Sequence, residues 1–529
     1  MLTIQNLSYS FPNKNRLFNS INLTVNTHDK VALIGNNGVG KSTLLKIIAG
    51  ELQPQIGQIV TDTKPYYIPQ IFGQFNHWTV AEALQVDHKL DALQKILSGN
   101  TDEENFTLLN DDWTIEDRCM KALDLWNLNH LNFSQKLETL SGGQKTKVFL
   151  AGIFIHQPEL ILLDEPSNHL DVPGRRLLYD FIQTTQSALI IVSHDRRLLN
   201  LLHPICELTK NGMNVYGGNF DFYKEQKTIE DNALYQDIQT KEKALRKAKE
   251  KERKTIERQR KSDTRAKKNL GKAGLPKIVS NTWKNNAERS TAKITGIHEY
   301  KTDNLREELQ DLRLAASGVE HMKFEFDNSD LHKGKNLFVA ENINFGHEKG
   351  KFLWQNPLNI RIVSGERIAV NGKNGAGKTT LLKIILGKLK PAQGKVFISE
   401  NRSVYIDQDY SLIDNKRQIY EQAQEFNRTA LQEHEIKIRL DRFLFSQEDW
   451  NKSCNTLSGG ERMRLMLCCL NIAHQSPDII LLDEPVNNLD IQNIEILTNA
   501  INEYEGTLIV ISHDKDFLEE INIERIIEL

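Results

Sequence analysis

Two stretches of this chain join a glycine-rich loop to a lysine and a hydroxyl residue. The first is Gly35-Asn36-Asn37-Gly38-Val39-Gly40-Lys41-Ser42-Thr43, and the second is Gly372-Lys373-Asn374-Gly375-Ala376-Gly377-Lys378-Thr379-Thr380. Glycines at these intervals let successive backbone N–H groups turn inward around phosphate oxygens. Lys41 and Lys378 would then reach the β and γ phosphates, and Ser42 and Thr379 would offer hydroxyls to Mg²⁺. Two acid pairs follow, Asp164-Glu165 and Asp483-Glu484, each at the end of an apolar run. Asp164 and Asp483 suit a hard cation, held directly or through water, while Glu165 and Glu484 suit accepting a proton from an attacking water. The amides of Gln70 and Gln408 can ligate the metal or the water, and His194 and His513 can hydrogen-bond a γ-phosphate. Together these residues imply hydrolysis of a β–γ phosphate bond.

Such chemistry needs elements that hold the loops and acids at one edge. Val31 to Ile34 read as a buried strand running into the first loop and then into a helix beginning LLKII. LILLDEP and IILLDEP read as further buried strands, and parallel strands present their C-terminal ends to a ligand crevice. The order recurs along the chain. KSTLLKIIAG (41–50) and KTTLLKIILG (378–387) agree at 8 of 10 positions, and ELILLDEPSNHLD (159–171) and DIILLDEPVNNLD (478–490) at 9 of 13. The fold expected is therefore α/β, two tandem P-loop NTPase domains at 1–225 and 326–529 joined by an α-helical hairpin linker at 226–325. Lys41 to Ser141 spans 100 residues and Lys378 to Ser458 spans 80, so the first copy carries about 20 more, placed near 88–115 as a surface insertion.

LSGGQ (140–144) and LSGGE (457–461) make the sequence resemble the ATP-binding cassette superfamily across both copies. The resemblance implies a head-to-tail pair within one chain, each ATP lying between the phosphate loop of one cassette and the LSGG helix start of the other. Site one would join Gly35 to Ser42, Gln70, Asp164, Glu165 and His194 to Ser458, Gly459, Gly460 and Glu461, and site two would join Gly372 to Thr379, Gln408, Asp483, Glu484 and His513 to Ser141, Gly142, Gly143 and Gln144. The metal would be held by Ser42, Gln70 and Asp164 in one site and by Thr379, Gln408 and Asp483 in the other. SNHLD (167–171) and VNNLD (486–490) match the family's D-loop. Phe11 or Tyr9 fits the adenine-stacking aromatic of the first cassette, and Phe345 or His347 that of the second. Two cassettes with a long charged linker resemble the ABC-F group, ATPases that act on the ribosome. In that group the linker is a hairpin at the tRNA exit site, and an insertion in the first cassette serves some members as an arm. The arm here would be short, and the short stretch after His513 leaves no room for the C-terminal extension of some members.

The linker has a character of its own. Residues 241–293 hold 19 Lys and Arg against 6 Asp and Glu, a local +13 in a chain whose net charge is -3. Residues 224–262 contain no Gly or Pro and read as one helix, roughly 58 Å long at 1.5 Å per residue. Leu234, Ile238, Leu245 and Ala248 on it, and Leu305, Leu309, Leu312 and Ala316 on a second helix, give the apolar seams of an antiparallel hairpin. Its tip would lie around Gly271, Gly274, Pro276 and Trp283. A basic, Asn-containing segment with one large aromatic suits RNA, read by phosphate, shape and stacking. The choice of the ribosome as partner, through rRNA and tRNA, comes from the ABC-F resemblance alone, which implies a role in modulating translation or in protecting the ribosome from antibiotics.

Composition narrows the classes and leaves two alternatives, the ATPase component of a transporter with separate membrane subunits and a DNA-associated ATPase of this class. The chain has 529 residues, 39% hydrophobic and 26% charged, with a mean hydropathy of -0.47, and no apolar run long enough to span a bilayer. Residues 1–20 lack the basic start and apolar core of a secretion signal, so a cytoplasmic address is expected, and the resemblance implies a monomer with an intramolecular cassette dimer. Cys119, Cys206, Cys454, Cys468 and Cys469 match no CxxC pair and suggest packed, reduced thiols. A transporter motor with separate membrane subunits would need no basic linker of about 100 residues, and a DNA-handling ATPase of this class would carry a very long coiled coil or zinc modules.

Overall fold

The computed structural model describes residues 1–11, 16–70, 73–209, 211–270, 300–309, 312, 332–346, 352–373, 375–428, 430–473, 476–487 and 489–529. The chain divides into two compact units, Met1–Asp221 with His321–Leu529, and Phe222–Glu320. The expected tip around Gly271 to Trp283, together with Ala316, His347 and Asn374, lies outside the described residues.

In the first unit each copy builds two sheets around one helix. The antiparallel sheet of copy one orders Arg16–Val25, Leu2–Ser10 and Ile56–Thr61, and that of copy two orders Leu358–Val363, Asn336–Asn344 and Gln393–Ile398. The second sheet of copy one orders Tyr66–Ile68, Leu160–Asp164, Ala188–Val192, Lys30–Ile34, Ile205–Thr209 and Gly212–Tyr216, all parallel but the last. Copy two repeats it as Ser403–Ile406, Ile479–Asp483, Thr507–Ile511, Arg367–Asn371 and Arg525–Glu528. Continuous apolar runs such as Leu160 to Leu163 are what a parallel sheet covered on both faces requires, and these four side chains are buried.

The helix after each phosphate loop, Lys41–Ile48 or Lys378–Ile385, fills the space between its two sheets. Leu44, Leu45, Ile47 and Ile48 pack in one cluster with Leu2, Ile4 and Phe18 of the antiparallel sheet and Leu162 and Ile190 of the parallel one. Burying each such side chain stabilises by about 1.5–3 kcal/mol, so the loop, the strand Leu160–Asp164 and the strand Ala188–Val192 that leads to His194 are held together by the core beneath them. The insertion of the first copy is helical, with Asp87–Leu97 and Glu103–Leu109 tied to the next helix through Lys89 and Arg118, which bond Asp112 at 2.9 and 2.8 Å.

One helix runs Phe220–Leu270, 51 residues, almost all of it in the second unit; it is longer at both ends than the 224–262 expected and fills the stretch between Gly218 and Gly271. Ile238 and Leu309 are buried there, and Lys241 pairs with Glu308. Among the described residues, no helix is long and apolar enough to cross a membrane. All five cysteines are buried and free.

Candidate active site

The phosphate loops fold as their glycines dictate. Gly40 and Gly377 stand at φ 107° and 89°, a left-handed conformation that favours glycine, and a Cβ on Gly40 would come within 2.7 Å of Leu17. Neither helix has a side-chain cap at its start, so its first-turn N–H groups and dipole are left for an anion. Lys41 Nζ donates to the Gly35 carbonyl at 2.6 Å, and Lys378 Nζ to the Gly372 carbonyl at 2.8 Å.

Around the first loop a cavity of about 370 Å³ is lined by Asn37, Gly38, Gly40, Lys41, Ser42, Thr43, Gln70, Asp164, Glu165, His194 and Phe11, and by Ser458 from the second copy. Of the segment expected from the second copy, Ser458 lines this cavity, whereas Gly459, Gly460 and Glu461 are not among its lining residues. Phe11, 40% exposed, lines the cavity, while Tyr9 packs its ring against Phe18 in the core. In copy two Phe345 is half-buried against the core, and Trp354 donates to the Ala376 carbonyl at 3.0 Å beside the second loop.

Glu165 and Glu484 adopt φ of 52° and 51°. A non-glycine residue pays strain to sit there, and both copies pay it at the same carboxylate. The backbone is held by the next strand, Glu165 N donating to Val192 O at 2.8 Å and Glu484 N to Ile511 O at 2.9 Å. The histidines close over the acids, with His194 Nε2 3.3 Å from Glu165 Oε1 and His513 Nε2 3.4 Å from Glu484 Oε1. Lys378 Nζ also lies 3.2 Å from His513 Nε2.

Electrostatics follows from burial. It pushes the Glu165 carboxyl up to about 8 and Glu484 up to about 7, against the pull of Lys41 and Lys378 respectively. It holds His194 well below the ordinary imidazole value and His513 down to about 4, so both rings are neutral near pH 7. The same burial lowers both lysines, opposed by the carboxylates around them. A carboxylate tuned near 7 is matched to general-base work near neutral pH.

The residues present fit a Mg²⁺ ion. Ser42 and Thr379 hydroxyls, Asp164 and Asp483 carboxylates and the Gln70 and Gln408 amides are hard oxygen donors. Asp164 Oδ1 is buried without a hydrogen-bond partner, a lone pair left for a cation or its water. Thr379 Oγ1 donates to Asp483 Oδ2 at 2.9 Å. Gln408 follows the strand Ser403–Ile406 by two residues, as Gln70 follows Tyr66–Ile68.

The LSGG segments open two helices, Gly142–His156 and Gly459–Ile472, through capping boxes. Ser141 N donates to Gln144 Oε1 at 2.9 Å, and Ser458 N to Glu461 Oε2 at 2.8 Å, so the fifth residue of each motif folds back on its own helix start. Further cross-copy contacts were not legible in the sequence. Asn37 N donates to Asp490 Oδ2 at 2.8 Å, and Asp171 is among the carboxylates opposing the lowering of Lys378. Arg196 bonds Glu520, and Arg197 Nη2 bonds Asp516 at 2.9 Å. Tyr405, absent from the sequence reading, donates from Oη to Asp483 Oδ2 at 2.9 Å; a tyrosine three residues before the glutamine in both copies was the available signal.

The family model described as "ABC transporter" matches residues 18–168 and 355–487. YdiF of Bacillus subtilis (strain 168), an ATP-binding protein by name, is 31% identical over 100% of this chain and 80% of its own length. ABC transporter F family member 5 of Arabidopsis thaliana is 30% identical over 95% of this chain and 71% of its own. A solved complex of the archaeal ribosomal stalk protein aP1 and the archaeal ribosome recycling factor aABCE1 aligns with a TM-score of 0.58 at 19% identity, covering 99% of this chain and 87% of that one, a likeness of fold.

Proposed function

The chain belongs to the ABC-F group of the ATP-binding cassette family, and from that premise we propose that this ATPase acts on the ribosome, using its basic linker to engage RNA. In this reading the ribosome is bound at the tRNA exit site in the cytoplasm. ATP draws the two cassettes of one chain together, closure sets the linker, and hydrolysis releases both. Mg²⁺, when bound, supplies charge neutralisation between the phosphates. Lys41 and Lys378 bind the phosphates, Glu165 and Glu484 take the proton of the attacking water, and neutral His194 and His513 hydrogen-bond the transferred group.

One observation carries the RNA part. Lys243, Lys247, Lys251, Lys254, Arg258, Lys261 and Arg265 recur at intervals of 4, 4, 3, 4, 3 and 4 on the helix Phe220–Leu270, and all seven are exposed. That spacing gathers them on one face, a stripe roughly 33 Å long at 1.5 Å per residue. Leu234, Ile238, Leu245 and Ala248, partly or fully buried, lie on the opposite face. Glu250 and Glu257 engage Lys254 and Lys261 at 2.7 and 2.8 Å, which leaves most of the stripe uncompensated. A continuous cationic face backed by a packed one suits a phosphate backbone better than a solvated helix of alternating sign.

The test is the variant Glu165→Gln, Glu484→Gln, which is expected to bind ATP, hydrolyse it slowly and co-sediment with ribosomes when ATP is added. Failure to associate, with sedimentation on membranes or DNA instead, would overturn the ribosomal reading and leave the tandem ATPase.

A further inference from the structure

We propose that Tyr67 and Tyr405 are positioning residues for the metal-bearing aspartate of their own site, aiming the carboxylate at the cation from the neighbouring strand. The inference rests on the reading of Asp164 and Asp483 as Mg²⁺-binding groups.

Register explains how a tyrosine gets there. In the parallel sheet of copy two, Tyr405 pairs with Leu481, two residues before Asp483. Side chains two apart on a strand share a face, so the tyrosine and the aspartate lie diagonally on the same side, within reach of a long side chain. In copy one Tyr67 pairs with Leu162, two residues before Asp164, so the same juxtaposition is built twice.

The bonds give the placement its chemistry. Tyr405 Oη donates to Asp483 Oδ2 at 2.9 Å, and Thr379 Oγ1 donates to the same oxygen at 2.9 Å. Two hydroxyl protons on one oxygen fix the rotation of the carboxylate and leave Oδ1 with its lone pairs for the cation or its water. Partners of this kind around a metal ligand set its orientation and commonly change metal affinity by about 10–100-fold when removed. In copy one Tyr67 Oη and Asp164 Oδ1 are each buried without a close hydrogen-bond partner, and the two side chains lie near enough for Asp164 to act on the Tyr67 hydroxyl. Burial first and Asp164 next raise the pKa of the Tyr67 hydroxyl, so it remains a proton donor throughout the neutral range.

Packing alone does not account for a hydroxyl here. Tyr67 belongs to the apolar cluster beneath the first site, where a phenylalanine would fill the same volume without burying a polar atom. A buried hydroxyl with no task is destabilising; both copies nevertheless carry a tyrosine at this position, buried in the first and partly buried in the second.

The experiment uses the full chain with Tyr405→Phe, Tyr67→Phe and the double variant, beside Asp483→Asn as reference. Binding of a slowly hydrolysed fluorescent ATP analogue is titrated with Mg²⁺ and repeated in EDTA, with thermal melting as a check of folding. Expected is a rise of about tenfold in the Mg²⁺ concentration giving half-maximal binding, with affinity in EDTA and the melting midpoint unchanged. An unchanged Mg²⁺ midpoint in the double variant, or an equal loss of affinity with and without Mg²⁺, would overturn the proposal. Should Asp483→Asn itself leave the Mg²⁺ dependence untouched, the metal reading of that aspartate falls first and the tyrosine's role with it.

Discussion

Asp490 of the second copy accepts a 2.8 Å hydrogen bond from the backbone N–H of Asn37 in the phosphate loop of the first, although 453 residues separate them. The same carboxylate caps its own helix, Oδ1 accepting from Asn493 N at 2.9 Å. One side chain therefore ties the start of the helix Ile491–Glu503 to the loop of the opposite ATP site. Asp490→Ala is expected to remove both bonds. Losing the cap costs about 1 kcal/mol, roughly a 2–4 °C fall in melting temperature for domains of this size. Losing the cross-copy bond should weaken ATP binding at site one while sparing site two. Nucleotide titrations in Lys378→Ala and Lys41→Ala backgrounds, which disable one loop each, check this; equal weakening at both sites would show that only the cap mattered.

If Glu165 and Glu484 act as the proposed general bases, the two sites should show distinct pH profiles. Burial raises Glu165 to about 8 and Glu484 to about 7, and a base must be ionised to act, so activity should rise with pH through these values. With Glu484→Gln, leaving site one, kcat/KM should climb with an inflection near 8; with Glu165→Gln, leaving site two, near 7. The stability sign is the reverse. Each carboxyl binds its proton more tightly folded than unfolded, so the nucleotide-free protein should lose stability as pH rises from the ordinary carboxylate range through 7 to 8. Profiles of kcat/KM for the two single variants with the same inflection would count against unequal tuning.

Charge complementarity across the copies gives a third expectation. The helix after His194, Arg196–Leu199, is basic, and the helix after His513, Lys515–Glu520, is acidic. Arg197 bonds Asp516 through Nε at 3.0 Å and Nη2 at 2.9 Å. Arg196, only 7% exposed, engages Glu520. Exposed pairs contribute about 0–1 kcal/mol, so the buried arginine should dominate. Arg196→Glu is expected to lower ATP turnover at both sites by separating the two helices that follow His194 and His513, and adding Glu520→Arg to restore much of it. No rescue in the double variant would mean that Arg196 acts through packing rather than through the pair.

Much of the site was readable because its groups lie at fixed spacings on single elements. A glycine loop between strand and helix, and an acid at the end of an apolar strand, are local patterns, so Lys41, Asp164, Glu165 and their counterparts could be named from type and order. What escaped the sequence depends on the tertiary path. Nothing local joins Asn37 to Asp490 or Arg196 to Glu520, and Tyr405 reaches Asp483 only because the sheet sets their strands side by side. The insertion near 88–115 read as a polar surface stretch, yet it holds the helices Asp87–Leu97 and Glu103–Leu109, with Asp112 joining Lys89 to Arg118. Phe11 and Tyr9 could not be told apart by type, and packing separates them, one lining the cavity and the other joining the core.

The linker yields the last prediction. If the stripe tracks phosphates, each neutralised phosphate releases counterions, and log K for ribosome binding falls linearly with log salt by about 0.9 per contact on duplex and about 0.7 on single strands. Lys243, Lys247, Lys251, Arg258 and Arg265 are the members of the stripe not paired with Glu250 or Glu257. Replacing these five with Gln should flatten the salt slope by about 3.5–4.5 and weaken binding most at low salt. Replacing exposed lysines of the cassettes, such as Lys64 and Lys121, should leave the slope nearly unchanged. Because glutamine keeps a helix and the buried Ile238 and half-buried Leu245 lie on the opposite face, the fold should survive and ATP turnover without ribosomes should not move. The measurement is ribosome co-sedimentation of the Glu165→Gln, Glu484→Gln protein across a salt series. An unaltered slope in the five-fold variant would mean that the helix stands in water and that any ribosome contact is made elsewhere on the chain.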